Sequence, residues 1–263
     1  MRLICLVNNY LGWQSLEYLR QQEQIVAVVV HPPARMKFQT EILAAARSAG
    51  AEVILATDLR TPEGLARIAE LHAEIGVSVM FGYVLKPDFL SLLPKGCINL
   101  HPAYLPYNRG AHPNVWSIVD KTPAGVTLHF IDEDIDTGDI IRQTEVPILA
   151  TDTGETLYHK LEAAGLELLR ETWPEIRAGR IDRIPQSRES GTSHKAGDAA
   201  RIDEIQLAGT YRAEDLLNVL RARTFPPHQG AFIRSGGRKV HIHIQLQFEE
   251  EFEEESDGTG NGE

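Results

Sequence analysis

The sequence predicts an α/β fold: a doubly wound, mostly parallel sheet followed by a small C-terminal α+β subdomain. Two observations carry the first half of that reading. From Met1 to about Leu100, short apolar runs rich in β-branched residues alternate with stretches of helical periodicity, the pattern of parallel strands wrapped by helices. Polar groups also collect where those runs end, at Asn8, Asn9, His31, Gly82, Tyr83, Asn99 and His101, and ligands of such sheets gather at the carboxyl ends of strands. The third observation is a late change of composition, after which one helical stretch and one hairpin pattern complete the chain.

Taken in order, "LICLV", "IVAVVV", "EVILA" and "VSVMFG" read as strands, with "GWQSLEYLRQQ", "TEILAAARSAG" and "EGLARIAELHAEIG" as the intervening helices. "INLH" is the next strand, and it runs into a long Pro- and Gly-containing loop. "GVTLHFI" and "IIRQTEVPI" are strands flanking the acidic loop "DEDIDTGD", where Gly138 is expected to supply a positive φ. "TGETLYHKLEAAGLELLRETWPEIRAG" has amphipathic spacing for a long helix that stops near Gly179. The expected division is a domain over 1–182, a polar linker over 183–203, a helix-hairpin subdomain over 204–248 with a Gly-Gly turn, and a disordered acidic tail over 249–263.

The formal net charge of −11 is concentrated in that tail: its eight acidic residues leave −3 on the rest of the 263-residue chain. A weakly acidic body without a basic run gives no footprint for nucleic acid. Cys5 and Cys97 are the only cysteines and sit among apolar residues, which predicts reduced, buried thiols in a cytoplasmic protein. The N-terminal apolar run reaches Asn8 too soon for a secretion signal or a membrane span, so no membrane association is expected.

Side chains alternate across a strand, so Asn99 and His101 share a face that Ile98 and Leu100 do not. An amide beside an imidazole can aim a donor at developing negative charge and move a proton; the same pair could merely cap the turn before Pro102. The loop over 132–139 holds Asp132, Glu133, Asp134, Asp136 and Asp139. A calcium loop starting at Asp132 would need glycine sixth and glutamate twelfth, but Thr137 and Gln143 stand there. A carboxylate that orients a catalytic imidazole is the sharper reading, and a polar turn the plain one. His241 and His243 alternate along a late strand without a third metal ligand, and His129 reads as structural. No G-x-G-x-x-G, G-x-x-x-x-G-K-[ST] or G-x-S-x-G occurs.

"NLHPAYLPYNRGAHPNVWSI" followed by "GVTLHFIDEDIDTGDII" resembles the formyltransferases that use N10-formyltetrahydrofolate, over roughly Met1 to Gly179. The resemblance implies a Rossmann-like core and a catalytic trio of Asn99, His101 and Asp136. It implies a pterin pocket lined by Met80, Phe81, Gly82, Tyr83, Val84 and Leu85 and by Asp132, Glu133, Asp134 and Ile135, with no metal. The loop wording and the short, non-basic C-terminal piece look like the sugar N-formyltransferases rather than the methionyl-tRNA enzymes, which places the chain in glycan or lipopolysaccharide assembly. The implied acceptor is a nucleotide-linked amino-dideoxyhexose, with Asn8, Asn9, Tyr10, Tyr104, Tyr107, Asn108, Phe225 and His228 as candidate contacts. Formylation of methionyl-tRNA or another amine, and folate or sugar-nucleotide binding without catalysis, are the alternatives. The apolar C-terminal hairpin offers a surface for a homodimer.

Overall fold

Five β-rich segments pair side by side in the computed structural model, which describes residues 1–187 and 190–249. They are β1 (Arg2–Val7), β2 (Gln24–Val30), β3 (Glu52–Leu55), β4 (Ile75–Val79) and β5 (Cys97–His101). Helices α1 (Asn9–Gln22), α2 (Gln39–Ser48) and α3 (Pro62–Glu70) make the crossovers, and a short α4 (Pro87–Leu90) precedes β5. Beyond the long loop come β6 (Arg109–Gly110), α5 (Pro113–Val119), β7 (Gly125–Phe130), β8 (Ile140–Glu145) and α6 (Gly154–Arg177). The order β3-β2-β1-β4-β5-β7-β8 makes one seven-stranded sheet. Strands β1 to β5 run parallel, while β7 and β8 are antiparallel to their neighbours.

The strand order reverses between β1 and β4, so their carboxyl ends open a crevice where crossovers leave in opposite directions. Both faces of the sheet are covered. On one, Leu11, Leu16 and Leu19 of α1 and Leu157, Leu161, Leu168 and Trp173 of α6 pack with Val7, Val77, Val79, Leu100 and Leu128. On the other, Ile4, Leu6, Val29 and Ile54 pack with Ile68, Leu85 and Phe89. Helix α6 is started by a reciprocal cap between Thr153 and Thr156 and is followed by Gly179 at φ +67°.

The C-terminal part contains β9 (Ser193–His194), α7 (Ala213–Ala222), β10 (Phe232–Ser235) and β11 (Arg238–His241). Gly236 and Gly237 both take positive φ between β10 and β11, the geometry a tight hairpin needs. Cys5 and Cys97 are buried and free.

Several sequence expectations are corrected. The end of the long loop is helical: Pro113 opens α5, and its missing N–H suits a first helical turn. Strand β11 stops at His241, so His243 lies outside it and its imidazole contacts the His228 carbonyl instead. The stretch read as a polar linker is tied to the core, since β9 pairs in parallel with β6. Gly138 does not take a positive φ; Asp136 does, at +55°. Glycine is required at 138 because an added Cβ would lie 1.9 Å from the Phe130 carbonyl oxygen. The tail over 250–263, read as disordered, lies outside the described residues. Among the described residues no helix is long and apolar enough to cross a membrane.

Candidate active site

Asn99 and His101 lie at the end of β5, on the shared face the strand period demands, and the acidic loop brings Asp136 to both. Asn99 Nδ2 is 3.4 Å from Asp136 Oδ1, and His101 Nε2 is 3.6 Å from Asp136 Oδ2. The Gly110 N–H donates to Asp136 Oδ2 at 2.9 Å. This carboxylate therefore ties the acidic loop to the end of β5 and to the loop beyond it. The left-handed backbone of Asp136 accompanies this reach, a conformation Asp tolerates better than most residues.

A second imidazole completes the cluster. Antiparallel pairing sets His129 of β7 opposite Asn99, and its Nε2 lies 3.1 Å from Asn99 Nδ2. His129 Nδ1 faces the Phe130 carbonyl at 2.7 Å, so Nδ1 carries the hydrogen and Nε2 accepts from the Asn99 amide. His101 Nε2 faces the Asn108 carbonyl at 3.2 Å, which assigns its hydrogen to Nε2 and leaves Nδ1 as the basic nitrogen.

Charge is sharply divided within this buried set. Burial pushes the His101 imidazole below its ordinary value of 6.5, and the nearby Asp136 carboxylate opposes that only in part. Burial alone would raise the Asp136 carboxyl, but the His101 imidazole and the Gly110 N–H outweigh it and hold it well below the usual carboxylate range. An ionised carboxylate thus stands beside a neutral imidazole, an arrangement that accepts a proton at His101 and stabilises the cation formed.

On one side of the trio lies the segment Met80–Leu85. His31 Nε2 accepts the Gly82 N–H at 3.3 Å, and the His31 ring packs against Phe81 and Tyr83 at 5.1 Å each. Val84 is 46% exposed, and Ile135 of the acidic loop is 57% exposed. Exposed apolar side chains on both segments, with Gly82 open above His31, fit a flat heterocycle. Leu85 instead points into the core with Phe89. Asp132 accepts the Thr137 hydroxyl at 2.7 Å, and Glu133 and Asp134 are exposed. Among the described residues no group of three or more His, Cys, Asp or Glu is arranged to hold a metal ion.

On another side is a cavity of about 1650 Å³ running from the β1 and β4 ends to α6 and the C-terminal part. Asn9, Tyr10, Met80, Tyr158, Phe225 and His228 line it, together with cationic Lys37, Arg170, Arg223 and Lys239. The trio itself is not on its wall; Met80, which lines it, directly follows Val79, whose partner Leu100 sits between Asn99 and His101. Four expected acceptor contacts lie elsewhere. Asn8 is turned inward, accepting from the Lys37 N–H at 2.8 Å and facing His31. Asn108 is fully buried, donating to Ser117 and Thr122 to hold the loop. Tyr104 and Tyr107 are half-buried off the cavity, with Tyr104 packed against Gly125.

Comparison with known proteins supplies the family. Residues 1–172 match the formyl transferase family, and residues 198–248 match the N-formyltransferase dimerization C-terminal domain. A methionyl-tRNA formyltransferase from Acetivibrio thermocellus is 30% identical over 251 residues, 92% of this chain and 78% of that protein. Further methionyl-tRNA formyltransferases align over 62% and 55% of their own length. A Mycobacterium tuberculosis structure described as an uncharacterised protein and "likely sugar N-formyltransferase" superposes with a TM-score of 0.80 at 26% identity, covering 95% of this chain and 99% of that one. A Helicobacter canadensis N-formyltransferase, solved with folinic acid and dTDP-3-aminofucose, gives a TM-score of 0.73 at 25% identity, covering 91% and 85%. Matched over residues 1–172 and again over 198–248, the chain belongs to the formyltransferases that draw on formyl-tetrahydrofolate.

Proposed function

We propose that the protein transfers a formyl group from N10-formyltetrahydrofolate to the amine of a nucleotide-linked amino-dideoxyhexose. The observation that carries this is the cavity: aromatic walls from Tyr10, Phe38 and Phe225 stand beside cationic Lys37 and Lys239, with Arg223 paired to Asp203, suiting a base and a pyrophosphate. The superposing Helicobacter canadensis N-formyltransferase, solved with dTDP-3-aminofucose, supports the same acceptor, as does a body net charge of only −3, ill-suited to a polyanionic RNA. Formylation of methionyl-tRNA is the second reading, favoured by the 30% identical relative.

In this reading the bound folate supplies the electrophilic formyl carbon, and Met80–Val84 with Asp132–Ile135 hold its pterin. Asn99 keeps one N–H on His129, and its other N–H, which makes only the long 3.4 Å contact to Asp136, turns to the negative charge developing on the formyl oxygen. His101 Nδ1 takes the proton released as the amine bonds to the formyl carbon and relays it to the folate N10 as the carbon–N10 bond breaks, with Asp136 stabilising the imidazolium in between. The C-terminal hairpin supports a homodimer, and the two free buried thiols support a reducing, cytoplasmic setting. The test is incubation with N10-formyltetrahydrofolate and a panel of dTDP-, UDP- and GDP-linked 3- and 4-amino sugars, with products read by mass spectrometry. One of these gains a formyl group; a panel left unmodified while charged initiator tRNA is formylated overturns the proposal.

A further inference from the structure

The polar stretch after α6 contains one side chain that bridges both loops of the candidate active site. Gln186 Nε2 donates to the Asp136 carbonyl at 3.0 Å and to the Gly138 carbonyl at 2.7 Å. Its Oε1 accepts from Arg109 Nε at 3.2 Å and Nη2 at 2.9 Å. Both amide hydrogens and the amide oxygen are thus engaged, one end on the acidic loop and the other on the loop that follows β5. We infer that Gln186 is a positioning residue that clamps the Asp136 loop to the Arg109–Gly110 loop and thereby sets the carboxylate against His101.

The surroundings make this clamp firm. Arg109 is buried and also donates to the Ser187 carbonyl at 3.1 Å. Thr192 Oγ1 accepts the Asn108 N–H at 2.8 Å, and the Ala111 N–H donates to the His194 carbonyl at 2.9 Å. The His194 ring stacks on Trp116 with centroids 4.0 Å apart and planes 5° from parallel. The segment is thereby fastened along the 108–111 loop, and Gln186 stands where it crosses to the acidic loop. Gly110 donates its N–H to Asp136 from within that same fastened loop, so loss of the Gln186 bridge releases the acidic-loop backbone and leaves the Gly110 N–H alone to place the carboxylate.

The inference rests on the catalytic assignment of His101 and Asp136, and its test is chosen to fail separately. The groups facing His101 are Asp136, His129 and the Asn108 carbonyl, of which Asp136 alone draws a proton to the imidazole by charge. NMR titration of His101 in the intact Gln186→Met protein therefore reads the carboxylate position without any acceptor. The expected result is a His101 midpoint lower than in the unaltered protein, with kcat reduced about tenfold or more. Gln186→Asn keeps the polarity but cannot span both loops, and it shows the same two changes, serving also where the Met variant does not fold. A merely structural role would lower the folded fraction and leave the midpoint of the remaining folded protein in place. An unmoved His101 midpoint with kcat within about twofold overturns the inference. If no amine is formylated by the unaltered protein while the midpoint still moves, the clamp stands and the acceptor assignment fails.

Discussion

Asn99 gives one amide hydrogen to the His129 lone pair at 3.1 Å and makes only a 3.4 Å contact to the Asp136 carboxylate with the other, so the first bond sets its orientation and the more loosely held N–H is left for a ligand. Preorganised donors of this kind act without reorganising during the reaction, and Asn99→Ala is expected to lower kcat about 10²–10³-fold. His101→Ala removes the proton acceptor, with an expected loss of about 10²–10⁴ in kcat. The sign of its pH behaviour follows from its surroundings. Burial disfavours the imidazolium, so His101 titrates below its ordinary 6.5 and is neutral at pH 7. Asp136→Asn withdraws the one charge that pulls the midpoint upward, and NMR titration should find it lower still. A midpoint that rises in Asp136→Asn would contradict this picture of the pair.

At the scale of elements, register decides which residues meet. Asn99 and His101 are readable as partners because alternation along one strand is local, and the Asp136 loop follows from its own acidic and turn-forming residues. His129 is not readable in this way: within "TLHFI" it looks like a polar interruption of a core strand, and only the antiparallel β5–β7 register sets it opposite Asn99. Asn8 and Asn108 mislead for the opposite reason. Both sit at strand or loop positions suited to ligands, but each meets unsatisfied backbone or hydroxyl groups nearby and spends its bonds there. The crossover pattern of β1 to β5 was legible throughout, whereas α5 was obscured by the prolines and polar residues around it. Gly138→Ala tests the loop geometry. The added methyl must displace the Phe130 carbonyl, with an expected loss of about 1–3 kcal/mol in urea unfolding and a fall in kcat. An unchanged unfolding midpoint would show that the loop yields freely.

For the whole molecule, the sheet and the C-terminal part enclose the cavity together: Asn9 and Tyr10 come from α1, Tyr158 from α6, and Phe225 and His228 from the segment after α7. Asn9 Nδ2 donates to the Tyr158 hydroxyl at 2.5 Å, and Tyr158 and Phe225 meet edge to face at 5.4 Å, joining three parts of the wall. Trimming Phe225 to alanine is expected to raise the acceptor KM about five- to tenfold by loss of a stacking surface, with the folate KM unchanged. Equal increases in both constants would mean that the ring supports the fold rather than the acceptor. The most direct measurement of the central claim is a competition in one vessel: limiting N10-formyltetrahydrofolate, with a nucleotide-linked amino-dideoxyhexose and charged initiator tRNA present together. The formyl group should appear on the sugar amine; its appearance on the tRNA, with the sugar untouched, would contradict the account.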